Sequence, residues 1–135
     1  MRLFTHFIIF WLAVATSSAF ADCSDDEGTT SSIVSKCLQP QLNKAERAMA
    51  AEYNALLRTL KRDFTAKDTD ARYSLQSSQK AWLNYRNQFC SAKGMAIVGG
   101  ITARAIPELE CQLELTESRK NELLNLNTFL LNDRN

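Results

Sequence analysis

Residues 79–90 read QKAWLNYRNQFC, and this stretch decides the fold. It contains no glycine or proline, and Trp82, Tyr85 and Phe89 recur at steps of three and four, the spacing of one helix face. The stretch therefore predicts a helix that ends near Cys90. We expect the three aromatic side chains to lie in the core, because aromatic residues bury the largest apolar areas.

The segment upstream carries a longer apolar stripe. Its members recur at steps of three or four, and they are Leu38, Leu42, Ala45, Met49, Tyr53, Leu56, Leu60 and Phe64. This spacing predicts an amphipathic helix of about 27 residues, which would be about 40 Å long. Pro40 would lie in its first turn, where the missing N–H costs little. Tyr53 and Phe64 are further large core candidates. Residues 65–70 break the pattern, and Thr69 or Asp70 could cap the next helix.

The segment downstream is first rich in glycine and then helical again. Gly94, Gly99 and Gly100 predict a flexible stretch after Cys90, and Pro107 suits the first turn of a third helix. The expected buried face of that helix consists of Leu109, Leu113, Thr116, Leu123, Leu126 and Leu130. No segment alternates as a strand does. We therefore expect an all-α fold, a small three-helix up-down-up bundle.

The chain begins with the features of a secretory signal. Arg2 precedes an apolar stretch over residues 3–15, and residues 19–21 read AFA, an A-x-A cleavage site. The apolar stretch is shorter than the about 20 residues that span a membrane. We expect cleavage near Ala21, a single mature domain over residues 22–135, and a periplasmic or secreted location. Because lipid attachment needs a small residue before the cysteine and Asp22 stands there, we expect no lipid anchor.

The composition limits the chemistry. The single histidine, His6, lies in the predicted signal, so histidine-assisted catalysis is not expected in the mature chain. The chain has 16 Lys and Arg and 15 Asp and Glu, and the loss of Arg2 would leave 15 of each. The mature chain would therefore have no net positive charge to attract nucleic acid or an anionic membrane. Glu110, Glu114 and Glu117 line one side of the third helix, and such carboxylates usually form a solvated face. We expect no enzymatic activity and no cofactor.

The four cysteines predict two structural disulfides. Four cysteines allow three pairings, and the spacing favours Cys23–Cys37 and Cys90–Cys111. A crossed pairing is sterically possible, because three of the four should lie at one pole of the bundle. Each favoured bridge would contribute about 3 kcal/mol in the chain-entropy model. A metal site is not expected, since the mature chain has no histidine and no C-x-x-C motif.

Residues 79–90 resemble the Q-x-A-W-x-x-[YF]-R-x-x-x-C signature of the LprI-type lysozyme-inhibitor family, in its N-terminal domain. Further matches follow in chain order, namely Cys23 and Cys37, Tyr53 with Leu56 and Leu57, Gly99 and Gly100, and Cys111 with Leu115, Thr116, Arg119 and Leu123. The resemblance covers essentially the whole mature chain. It implies a secreted helical domain with a protein partner, a lysozyme.

The signature residues themselves are expected to be structural, and they are Gln79, Trp82, Tyr85, Arg86, Thr116 and Arg119. Gln79, Trp82, Arg86 and Cys90 share one helix face. Arg86 is expected to pair with a carboxylate or a helix-end carbonyl in a buried or half-buried position. A motif concentrated in core positions identifies a fold and does not locate a binding surface.

The binding surface for a lysozyme is expected in the disulfide-framed loop over residues 91–110. The candidate contacts are Lys93, Met95, Ile97 and Arg104. Lys93 or Arg104 could form ion pairs with the catalytic carboxylates of a lysozyme. The acidic residues 25–27 could pair with basic residues around the cleft of that enzyme. The alternative is a periplasmic interaction or toxin-immunity module with a different protein partner.

Overall fold

The protein folds as three α-helices without a strand in the part of the chain that the structure describes. A computed structural model describes residues 23, 30–60, 70–97 and 104–133. The helices are α1 (Ser31–Thr59), α2 (Ala71–Ile97) and α3 (Ala105–Asn132). The all-α prediction is therefore confirmed. The expected signal peptide, the acidic residues 25–27, Phe64 and the Gly99–Gly100 pair lie outside the described residues.

Contacts at the helix ends define the up-down-up order. The Arg72 guanidinium at the start of α2 donates to the carbonyl oxygens of Leu57 and Leu60 at the end of α1. At the opposite pole, a disulfide joins Cys90 near the end of α2 to Cys111 near the start of α3. The start of α2 is capped as expected, because the Asp70 carboxylate accepts a hydrogen bond from the Arg72 N–H at 2.8 Å.

α3 is the helix that holds the bundle together. It packs extensively against α1 and then α2, whereas α1 and α2 approach each other at few points. The core cluster draws on all three helices and consists of Met49, Leu56, Leu75 and Leu123, with half-buried Tyr53, Leu57, Leu60, Trp82 and Leu130 packed against it. The predicted stripe on α1 faces this core, since Leu38, Leu42 and Ala45 are also buried.

α1 begins earlier than the sequence pattern indicates. Because Val34 is buried one turn before Leu38, the apolar stripe extends upstream and the helix starts at Ser31. Pro40 consequently lies inside α1, and its expected place in the first turn is wrong. A proline there leaves the carbonyl of Lys36 without its main-chain helix partner.

The buried face of α2 differs from the predicted one. Tyr85 is 51% exposed and Phe89 47% exposed, so their expected core positions are wrong, while Trp82 is half-buried. The residues that face the bundle are Leu75, Gln79, Arg86, Cys90 and Gly94. The buried Arg86 and Cys90 each follow a residue of the aromatic stripe, Tyr85 and Phe89, by one position, so the buried face is turned around the helix axis from the stripe. It is polar because its Gln and Arg side chains find partners on the other helices.

The described residues that directly follow Cys90 are helical. α2 continues to Ile97, and α3 starts at Ala105, so most of the expected 91–110 loop belongs to helices. Gly94 lies inside α2, where a Cβ would come 2.9 Å from the carbonyl oxygen of Arg104. The glycine thus serves the close approach of two helix ends, and flexibility is not its role.

The face of α3 follows the prediction only in part. Thr116 and Leu123 are buried, and Leu109, Leu113 and Leu130 are half-buried. Leu126 is exposed, so its expected burial is wrong. Near the start of the helix, burial shifts to Pro107 and Cys111, because there α3 also packs against the end of α2.

Candidate functional site

The signature residues of α2 and α3 form one polar network centred on Arg86. The Arg86 side chain is only 7% exposed, and its Nη1 lies 2.9 Å from Glu46 Oε1 on α1. The same nitrogen donates to Thr116 Oγ1 on α3, also at 2.9 Å. One guanidinium therefore joins all three helices. Its Nε and Nη2 are engaged as well, since both donate to Asn87 Oδ1.

Thr116 fits this position because its hydroxyl both donates and accepts. The residue is fully buried, and its hydroxyl donates to the carbonyl of Gln112 at 2.6 Å while accepting from Arg86. A buried hydroxyl without partners would be destabilising, and here both of its functions are satisfied. Thr116 therefore fixes the position of the Arg86 guanidinium of α2 relative to α3.

Two guanidinium groups lie over the Trp82 ring. The Cζ atoms of Arg86 and Arg119 are 5.5 and 5.9 Å from the Trp82 ring centroid, within the range of cation–π attraction. Arg119 also donates to Gln79 Oε1 at 3.1 Å and to Glu122 Oε2 at 2.9 Å. Two hydrogen bonds within this set, Arg86 to Thr116 and Arg119 to Gln79, join α2 to α3, so these signature residues stabilise the contact between the two helices.

Tyr85 is the signature residue that lies outside the network. Its ring stacks on that of Phe89, with centroids 5.4 Å apart and an interplanar angle of 19°. Both rings lie on the exposed side of α2. The structure therefore separates the signature into residues that hold the helices together and one residue on the surface.

Both disulfides have the connectivity that the spacing favours. Cys23 pairs with Cys37 and Cys90 with Cys111, with Cα atoms 5.9 and 5.4 Å apart. None of the four cysteines is free. The first bridge ties Cys23 to the second turn of α1, and the second ties the end of α2 to α3.

Three of the four predicted partner-binding residues lie on the constrained end of α2, and the fourth, Arg104, lies just before α3. Met95 and Ile97 are 57% and 61% exposed on the last turn of α2, and Lys93 and Arg104 are half-buried. The last two turns of α2 are fixed to α3 by the Cys90–Cys111 bridge and the close approach at Gly94. Met95 also lines a shallow groove with Asn87, Gln88, Ser91, Ala92 and Glu108.

Sequence reasoning missed Glu46, the carboxylate partner of Arg86. Glu46 follows Ala45, a buried member of the α1 stripe, and is only half-buried itself. A carboxylate bordering an apolar stripe is the one sequence signal for it. The pairing itself joins different helices and depends on how these pack.

Two further properties of the described residues bear on function. In residues 30–60, 70–97 and 104–133, no helix combines the length and hydropathy that membrane crossing requires. Within the same ranges and Cys23, no three or more His, Cys, Asp or Glu side chains form a group that could hold a metal ion.

Comparison with known proteins identifies one protein family that the chain matches. A family model described as lysozyme inhibitor LprI matches residues 23–123, from the first cysteine to Leu123 in the core. No curated protein and no solved structure matches the chain. The matched range contains both disulfides and the whole Arg86 network.

Proposed function

Since the chain belongs to the LprI lysozyme-inhibitor family, we propose that it is a secreted or periplasmic protein that binds a lysozyme and inhibits it. The inhibitor acts as a binding protein and carries out no chemistry of its own. The resemblance of residues 79–90 to the family signature and the match to the family model support the family assignment independently of any binding surface.

The observation that carries the proposal within the structure is the constrained end of α2. Met95 and Ile97 present apolar side chains on a helix end that a disulfide attaches to α3. A preorganised surface loses little conformational freedom on binding, so more of its contact energy contributes to affinity. This is the property that a proteinaceous inhibitor needs in order to compete with a substrate.

The charges next to this helix end suit an enzyme that hydrolyses glycosides. Glycosidases of this kind use a pair of carboxyl groups in the substrate cleft. Lys93 on the last turns of α2 and Arg104 before α3 could pair with such carboxylates and orient the complex. Lys93 and Arg104 therefore remain the proposed charged contacts, and Met95 and Ile97 the proposed apolar contacts.

The two disulfides support a location outside the cytoplasm. Disulfides persist in oxidising compartments, where a lysozyme also meets its cell-wall substrate. The proposed signal peptide over residues 1–21 would direct the domain of residues 22–135 to that compartment. Analysis of the N-terminus of the exported protein by mass spectrometry tests this, with a start at or near Asp22 as the expected result.

The experiment that tests inhibition is a turbidity assay. Clearing of a bacterial cell-wall suspension by several types of lysozyme is followed with and without the purified, oxidised protein. We expect clearing by at least one lysozyme to slow in a dose-dependent way. Unchanged clearing by every lysozyme, at large molar excess of a protein with an intact helical spectrum, would contradict the proposal and favour a different protein partner.

A further inference from the structure

The outer side of α2 carries an aromatic pair that the packing of the bundle does not use. Tyr85 and Phe89 are both about half exposed and stack on each other. Exposed large apolar groups that lie together mark contact sites more often than scattered ones do. Because the stack already restricts both side chains, docking a partner on it costs little side-chain entropy.

The pair belongs to a longer apolar surface. Exposed alanines continue the same side of the helix at steps of three and four, so that the surface comprises Ala81, Tyr85, Phe89, Ala92 and Ala96. We call these five residues the aromatic face of α2. Ala92 also lines the groove beside Met95, so the aromatic face is continuous with the helix end described above.

The charges of α2 indicate which kind of partner fits this face. α2 contains four basic residues, Arg72, Lys80, Arg86 and Lys93, and no Asp or Glu. Arg86 is paired inside the bundle, whereas Lys80 is exposed and Lys93 lies one turn beyond Phe89. A surface that bears carboxylates is therefore attracted to α2, which has no carboxylate of its own to oppose the approach. Glu108 of α3 borders the groove beside Ala92 and Met95, at one end of the aromatic face.

α3 differs from α2 in the charges that accompany its exposed apolar side chains. α3 also exposes apolar side chains, among them Leu126 and Phe129, but it carries five glutamates against Arg119 and Lys120. Like charges across an interface cost affinity and exclude wrong partners. Of the two exposed apolar surfaces, the one on α2 suits an acidic partner.

We propose that the aromatic face of α2 docks into the acidic substrate cleft of a lysozyme, with the Tyr85–Phe89 stack in place of a sugar ring and Lys93 paired with a cleft carboxylate. The inference rests on the proposed inhibition and adds the surface and the mode of binding. A cleft that holds a glycan between two carboxyl groups offers both an elongated contact surface and negative charge. The aromatic face supplies two flat rings for the contact surface, and Lys93, one turn further along the same helix, supplies a cation for a cleft carboxylate.

The test compares two double variants in the cell-wall clearing assay. Tyr85→Ala with Phe89→Ala removes the stack, and Leu126→Ala with Phe129→Ala is the matched control on α3. We expect the inhibition constant to rise about 30-fold or more for the first variant, as for truncation of central interface aromatics. We expect it to change less than about threefold for the control, with the helical spectrum of both preserved.

A second measurement tests the mode of binding. A chitin oligosaccharide that occupies the lysozyme cleft should compete with the wild-type protein, so the apparent dissociation constant should rise in proportion to the oligosaccharide concentration. Affinity that is unchanged at saturating oligosaccharide would place the contact outside the cleft and overturn the inference.

The outcomes separate the inference from the function on which it rests. If no lysozyme is inhibited by the wild-type protein, both fall together. If the wild-type protein inhibits and the Tyr85 and Phe89 variant does so equally well, the aromatic face is not the docking surface and inhibition stands. The same conclusion follows if that variant changes only the self-association of the protein in size-exclusion chromatography, or if the α3 control loses as much inhibition.

Discussion

At the scale of the residue, Arg86 explains why the signature stretch defines a fold. Its position on the face shared with Gln79 and Cys90 indicated burial, and a buried arginine needs an acceptor. The class of partner could therefore be predicted, and the structure supplies Glu46 and Thr116. Their identity could not be predicted from one sequence, because each belongs to another helix and the packing register selects it.

Loss of the carboxylate partner should destabilise the bundle. Glu46→Ala leaves the Arg86 guanidinium buried with only neutral acceptors, and we expect a loss of about 1–3 kcal/mol of unfolding free energy, less than for a fully buried pair because Glu46 is 39% exposed. Glu114→Ala, an exposed site on α3, is the control and should change stability by less than about 0.5 kcal/mol. Equal urea midpoints for both variants would refute the structural role of the pair.

Truncation of Trp82 should destabilise the protein much more than truncation of Tyr85. Trp82→Ala removes a ring that packs on the core and interacts with the guanidinium groups of Arg86 and Arg119, so we expect a loss of about 2–4 kcal/mol of unfolding free energy. Tyr85→Ala removes an exposed ring and should cost about 1 kcal/mol or less. Chemical denaturation of both variants measures this, and a larger loss for Tyr85→Ala would show that the assigned face of α2 is wrong.

At the scale of the element, α2 shows the limit of hydrophobic periodicity. The aromatic stripe and the buried face differ in rotation by about one residue, and a pattern that scores Trp, Tyr and Phe as core residues selects the stripe. The true face contains Gln79 and Arg86, whose burial is favourable only because partners on α1 and α3 satisfy them. On α1 every buried residue is apolar, and the predicted apolar stripe contains all of them except Val34.

The approach of α2 to α3 should depend on Gly94. A Cβ at this position would lie 2.9 Å from the Arg104 carbonyl oxygen, a main-chain atom that cannot move independently. Gly94→Ala should therefore lower the thermal midpoint, with a steric cost of about 1–3 kcal/mol that exceeds the gain of up to about 1 kcal/mol in helix propensity. A higher thermal midpoint, as expected for the same change in an open helix, would mean that the two helix ends are not in close contact.

At the scale of the whole molecule, the fold was accessible from the sequence and the binding surface was not. Three amphipathic segments and four cysteines in a small domain permit few arrangements, so the bundle and the disulfide pairing could be predicted. The glycines after Cys90 suggested a loop, because a single sequence does not show whether a glycine turns the chain or admits a neighbouring helix. Met95 and Ile97, expected in that loop, consequently lie on the end of α2.

The two disulfides should contribute unequally to stability. Cys90→Ala with Cys111→Ala frees the end of α2 from α3, and we expect a loss of about 2–4 kcal/mol together with faster hydrogen exchange over the last turns of α2. Cys23→Ala with Cys37→Ala frees a residue that precedes α1 and should cost less, because fewer helical contacts depend on it. A greater loss for the second variant would contradict the role assigned to the constrained helix end.

The most direct measurement of the central claim, inhibition of a lysozyme by the constrained end of α2, is the inhibition constant of two charge-reversal variants beside the wild-type protein. Lys93→Glu with Arg104→Glu changes the proposed charged contacts, and Arg47→Glu with Arg58→Glu changes exposed charges on α1. We expect the wild-type protein to inhibit, the first variant to inhibit at least about tenfold more weakly because it repels the cleft carboxylates, and the second to remain within about threefold of wild type, all with intact helical spectra. A greater loss for the α1 variant, or a wild-type protein that inhibits no lysozyme, would contradict the account.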